Sequence, residues 1–317
     1  MRRWKKWWCL AFIVLLSICP YGCGKKTDNI DADMKEENIA VPELAMTKTE
    51  HITEDSEETS SSKQEETTET MTTEALYLQD LEEILRKEIS NVGLGGNTSV
   101  YVQNLSEDAY AEVDNRTKQS ASLIKLYVAG CVYEQKDILA SGETYAGETE
   151  DLIKKMITAS DNDATNTLVT RLGRGDSGEG MNLVNAYCEE HGFTDTSMGR
   201  LMLDFSAQTD NYTSAKDCAH FLQKVYNREI TGSDNIFNYL KQQERTAKIP
   251  AGVPEGIETA NKTGELEDVE NDAAIVLGTD NIYVICIMMD GLSDTSIGRD
   301  TMVKMSSDAY TYFNNKQ

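Results

Sequence analysis

The apolar positions of the chain fall into distinct helical and strand arrangements. From Leu76 to about Val92 they recur at Leu81, Ile84, Leu85 and Ile89, the stripe of an amphipathic helix. Thr98–Gln103 and Tyr110–Val113 alternate between turn residues and predict a hairpin of two strands. Helical spacing then dominates, through Ser122–Glu134, Asp151–Ala159, Asp163–Leu172, Met181–His191, Ser214–Tyr226 and Ser233–Gln243. Strand patterns return at Glu258–Gly264, Asn271–Gly278 and Asn281–Met289. Asp294–Phe313 closes the chain, with Ile297, Met302, Met305, Ala309 and Phe313 on roughly one helical face. Strands set before and after a run of helices predict an α+β fold. Its expected form is a mixed sheet lobe, with an all-helical lobe inserted. A cleft between two such lobes is where a site tends to form.

Upstream of this pattern the composition changes. The chain opens with Arg2, Arg3, Lys5 and Lys6 and runs into the apolar stretch Cys9–Ile18. That order reads as an export signal over residues 1–23, too short to span a bilayer comfortably. Gly22-Cys23 resembles the end of a bacterial lipoprotein signal, so Cys23 is the expected lipidation site, tethering the chain to the outer face of a membrane. Residues 24–75 hold no Phe, Trp or Tyr and are mostly Glu, Thr, Ser and Asp. They cannot bury enough apolar surface to offset their ordering entropy, and read as a disordered acidic linker. The remaining residues, 76–317, form the expected folded domain.

The net charge of −24 disfavours nucleic acid and anionic lipid as partners. Four cysteines fall in the domain, Cys131, Cys188, Cys218 and Cys286, without C-x-x-C spacing. Together with His51, His191 and His220 they make no zinc signature, and no metal is expected. Cys188 and His191, four positions apart when counted inclusively, read as two residues of a helix face. The Gly93–Gly96 cluster has the wrong spacing for a phosphate loop.

Three short motifs carry chemistry: Ser122-Leu-Ile-Lys125, Ser160-Asp-Asn162 and Lys262-Thr-Gly264. At i and i+3 a hydroxyl and an amine share one helix face. A partly desolvated lysine beside a second cation has a lowered pKa and can act as a base. A glycine in a strand lets another backbone approach and lie alongside it. Two of the motifs recur, as Ser60–Lys63 in the linker and as Ser233-Asp-Asn235 at the start of a helix, where capping explains the second copy. Context therefore separates the functional copies from the others.

In order and context the three motifs resemble the class A β-lactamases of the β-lactamase and penicillin-binding-protein superfamily. The resemblance covers about residues 76–317 and implies the three-layer α/β/α serine β-lactamase fold, an α+β fold with a mainly antiparallel five-stranded sheet flanked by helices and an inserted all-helical lobe. It implies Ser122 as nucleophile, Lys125 as its base and Ser160 as proton relay to the leaving nitrogen. The backbone N–H groups of Ser122 and Glu265 would form the oxyanion hole. Asn162 would hold the substrate's side-chain amide and help fix Lys125, while Lys262, Thr263 and Gly264 would bind the substrate, a β-lactam or a peptidoglycan stem peptide. No cofactor is implied, and a monomer is expected.

The chain departs from that pattern in three places. Arg200 matches the arginine that opens the loop carrying the family's deacylating glutamate, yet Met202 stands where the glutamate belongs; Asp204 is the nearest carboxylate. The segment between Ser122 and Ser160 is short. No arginine follows the K-T-G strand, where Glu270-Asn271-Asp272 stand instead. The leading expectation is an exported serine hydrolase of the class A type with deacylation open. A cell-wall D,D-peptidase or esterase is the enzymatic alternative, and a lipid-tethered β-lactam-binding sink or sensor the non-enzymatic one.

Overall fold

The structure is a computed structural model describing residues 75–314. The expected signal over 1–23, the Cys23 lipidation site, the linker as far as residue 74 and the Ser60–Lys63 motif lie outside those residues.

The chain begins with β1 (Leu76–Tyr77), α1 (Gln79–Asn91), β2 (Thr98–Asn104), β3 (Ala109–Val113) and β4 (Lys118–Gln119). The helical lobe follows as α2 (Ile124–Glu134), α3 (Lys136–Ala140), α4 (Glu148–Thr158), α5 (Asn162–Leu172) and α6 (Ser177–Glu190). After β5 (Tyr212–Thr213) come α7 (Ala215–Tyr226) and α8 (Ser233–Leu240). The chain then returns to the sheet as β6 (Thr259–Glu265), β7 (Glu270–Leu277) and β8 (Ile282–Met289), ending in α9 (Thr295–Asn314).

The main sheet has the order β1-β3-β2-β8-β7-β6 and is antiparallel apart from the β1–β3 pair. It has six strands where five were expected. The sixth arises because the amides of Leu76 and Leu78 donate to Asp108 O and Tyr110 O at 3.1 and 2.7 Å. That edge pairing draws residues 76–77 out of the expected first helix. A second small ribbon pairs β4 with β5, each too short to show a periodicity.

Alternation along β8 makes the layers. Val284, Cys286 and Met288 enter the core shared with the helical lobe, whereas Tyr283, Ile285, Ile287 and Met289 enter the core under α1 and α9. At the centre of the lobe, α2 is buried on every side from Ile124 to Tyr133, which is why its sequence is apolar all round. Truncating a fully buried side chain there, such as Leu126, costs about 2–5 kcal/mol. Among the described residues no helix is long and apolar enough to cross a membrane.

Candidate active site

A 3₁₀ turn over Ala121–Leu123 leads directly into α2, so Ser122 and Lys125 lie about one turn apart. Ala121 takes a left-handed φ of 45°, and so does Ser160, at 58°, in the break between α4 and α5. Asp161 then caps α5 by accepting from Ala164 N at 2.7 Å. Asn162 follows as the helix's first residue. On the opposite wall, β6 carries Lys262, Thr263 and Gly264 against the 3₁₀ turn. A Cβ on Gly264 would stand 2.8 Å from Ser120 O and 3.1 Å from Ser122 N, so only glycine lets the two segments approach.

Hydrogen bonds join the three motifs. Lys125 Nζ donates to Ser160 O at 2.6 Å, to Ser160 Oγ at 3.2 Å and to Asn162 Oδ1 at 2.7 Å. Lys262 Nζ approaches the same Ser160 hydroxyl at 2.9 Å and donates to Thr263 O at 2.8 Å. Both lysines are fully buried. Burial lowers the Lys125 amine to about 7; Asp161 opposes the shift and the positive charge of Arg245 adds to it. Lys262 is pushed well below the usual lysine range by burial and by the cations Lys125 and Arg245. Thr263 Oγ1 is buried without a hydrogen-bond partner among the described residues.

The remaining predicted residue, Glu265, ends β6 and turns its carboxylate to Lys248 at 3.1 Å and Arg245 at 3.3 Å. Neither cation carries a motif that would mark it in the sequence. Lys248 is almost wholly buried and also meets Glu270 Oε2 at 2.6 Å and Asn271 O at 3.1 Å. The second Ser-Asp-Asn takes no part, and its serine does not cap the helix as expected. Gly232 is the N-cap of α8, while Ser233 Oγ donates back to Ile230 O at 2.5 Å. Cys188 is buried in the core, and His191 bonds Glu134 at 2.7 Å. All four domain cysteines are free and buried.

Arg200 closes the base of a short loop by bonding Asp210 at 2.7 Å. Met202 within it is buried, packed into the helical-lobe core. Asp204 is exposed and accepts from Ser206 N and Oγ at 3.1 and 2.6 Å, bonds that hold its carboxyl below the usual range. A carboxylate so held is a poor base.

Residues 138–313, more than half of the chain, match the model of the beta-lactamase enzyme family. The chain belongs to that family. The matched segment begins after Ser122 and Lys125, so the place of those two residues in this beta-lactamase family member rests on the fold. There the likeness is broad. A structure of PBP-A aligns with a TM-score of 0.63 at 23% identity, covering 75% of this chain and 97% of that one. A beta-lactamase from Sphaerobacter thermophilus aligns at 0.62 and 19%, covering 74% and 98%. A class A beta-lactamase from Mycobacterium abscessus aligns at 0.62 and 17%, covering 74% and 99%. Among curated proteins, no match to the sequence was found. This member of the beta-lactamase family is thus a serine hydrolase with the class A fold, in which Lys125 and Lys262 meet at the Ser160 hydroxyl.

Proposed function

We propose that the chain opens β-lactams or related acyl-D-amino-acid amides through an acyl-enzyme on Ser122, and that release of the acyl group is the slow step. The observation that carries this reading is the Ser160 hydroxyl, held between the amines of Lys125 and Lys262 at 3.2 and 2.9 Å. Ser122 Oγ attacks the acyl carbon as its proton passes to neutral Lys125 Nζ. The oxygen's developing charge meets the backbone N–H groups of Ser122 and Glu265. Ser160 gives its proton to the leaving nitrogen as the C–N bond breaks, and takes one back from Lys125. Lys262 and Thr263 hold the substrate carboxylate, Gly264 lets the substrate lie along β6, and Asn162 takes its side-chain amide.

Buried Met202 favours a second reading, a cell-wall D,D-peptidase, because it has no proton-accepting group to activate a water against the ester. The cationic, then apolar, residues 1–23 support export, with Cys23 as a lipid anchor. One experiment tests the whole: incubate the purified chain with a chromogenic cephalosporin and follow colour and protein mass together. Sustained colour means a β-lactamase. A stoichiometric burst with a stable adduct on Ser122 means the peptidase or a binding sink, which stem-peptide release then separates. If Ser122→Ala still turned over every substrate of the parent, the reading would be wrong.

A further inference from the structure

Gly264 and Asn271 stand directly opposite each other in the β6–β7 ladder. Opposed residues of an antiparallel pair present their side chains to the same face. On that face Gly264, lacking a side chain, admits the Ser120–Ser122 backbone, and Asn271 reaches the same segment from the neighbouring strand. Its Nδ2 donates to Gln119 O at 2.9 Å and to Ser120 O at 3.2 Å, and its Oδ1 accepts from Met289 N at 3.2 Å. The residue is fully buried, and its amide is committed to three backbone groups. Asn271 is therefore no replacement for the carboxylate-binding arginine absent from this strand.

What it grips matters more. Gln119 and Ser120 run straight into Ala121, whose left-handed φ of 45° is unfavourable for a residue with a Cβ. Strain of this kind persists only where the surroundings over-determine the backbone. Here Ser120 N donates to Asn211 O at 2.8 Å on one side, and Asn271 holds the carbonyls on the other. The next amide after Ala121 is Ser122 N.

We propose that Asn271 is the positioning residue of the oxyanion hole. By fixing the 119–120 backbone to the strand beside β6, it sets the aim of the Ser122 N–H relative to the Glu265 N–H, and touches no reacting atom itself. The proposal rests on the reading of Ser122 as the nucleophile. Donors aimed at the developing charge act without reorganising, and losing one costs roughly 10²–10³-fold in rate.

The test compares the parent with Asn271→Ala and Asn271→Asp. A chromogenic cephalosporin in single turnover gives the pre-covalent dissociation constant and the acylation rate constant separately. An arylboronic acid, which forms a tetrahedral serine adduct, gives affinity for a transition-state-like species. In Asn271→Ala, acylation should slow about 10²-fold, boronate affinity should fall in parallel, and the pre-covalent constant should change far less than the rate, the split that separates positioning from binding. Asn271→Asp keeps the size but sets a carboxylate against two carbonyl oxygens, and should lose at least as much; it also serves if the alanine variant does not fold. Acylation and boronate affinity near parental values in either folded variant would overturn the proposal. So would equal losses in pre-covalent binding and rate. A parent that forms no adduct on Ser122 would remove the functional reading and this one together, whereas a parental adduct with unimpaired variants removes this one alone.

Discussion

Asn166 holds Met202 by both of its backbone groups: its Oδ1 accepts from Met202 N at 2.8 Å and its Nδ2 donates to Met202 O at 3.1 Å. The loop position is thus fixed to α5, the helix that also presents Asn162 to Lys125. The backbone at 202 is anchored, and the Met202 side chain offers no base. Met202→Glu is therefore expected to shorten the life of the acyl-enzyme by at least about tenfold, toward the 10²–10⁴-fold of a positioned general base. Mass spectrometry of the adduct after removal of excess β-lactam measures it. The melting temperature should fall, since the carboxylate replaces a buried apolar group. An unchanged adduct lifetime in the folded variant would place the missing base elsewhere.

Acylation should rise with pH and level off above about 7, where the Lys125 amine becomes neutral. Single-turnover acylation across pH checks this; a flat profile from pH 5 to 8 (roughly the range such a base would span) contradicts it. The same shift bears on stability. Between about 7 and the ordinary lysine value of 10.5, the unfolded chain binds a proton that the folded one does not. This group's contribution to stability therefore grows as pH rises through that window.

Thr263→Val should separate binding from folding. The replacement keeps the shape and removes a buried hydroxyl that has no partner among the described residues. Stability should hold or rise by about 1 kcal/mol, because an unsatisfied buried polar group costs roughly that much. KM for a carboxylate-bearing substrate should rise several-fold. Equal KM with lowered stability would mean that the hydroxyl has a structural partner instead.

The helices and long strands were legible because each carries an extended period: the stripe of α1, the all-apolar α2 and the alternation of β8. Motif order and context singled out Lys125, Ser160 and Lys262, which the fold brings into hydrogen-bond contact. β1, β4 and β5 were not, since two residues show no period and pairing alone defines them. Arg245, Lys248 and Asn271 escaped for another reason. They act through contacts with residues 16 to 152 positions away in the chain, such as Lys248 with Gly264 and Asn271 with Gln119, and no local pattern encodes a partner at that distance.

Leu203 is the residue of the short loop under the most visible strain. It has a left-handed φ of 65°, yet it is 59% exposed, so packing returns little for that conformation. A left-handed residue with a Cβ costs roughly 1–2 kcal/mol relative to glycine, against a smaller entropic loss when glycine replaces it. Leu203→Gly is thus expected to stabilise the chain by up to about 1 kcal/mol, and Leu203→Asn by less, since asparagine tolerates this region better than leucine. Thermal or urea unfolding measures both. The two variants also separate backbone from side chain in function. If acylation and deacylation stay at parental rates while stability rises, the left-handed turn follows from closing a short loop between Arg200 and Asp210. If acylation falls in Leu203→Gly but not in Leu203→Asn, the stiffness of this turn beside Met202 contributes to holding the cleft in its reactive form.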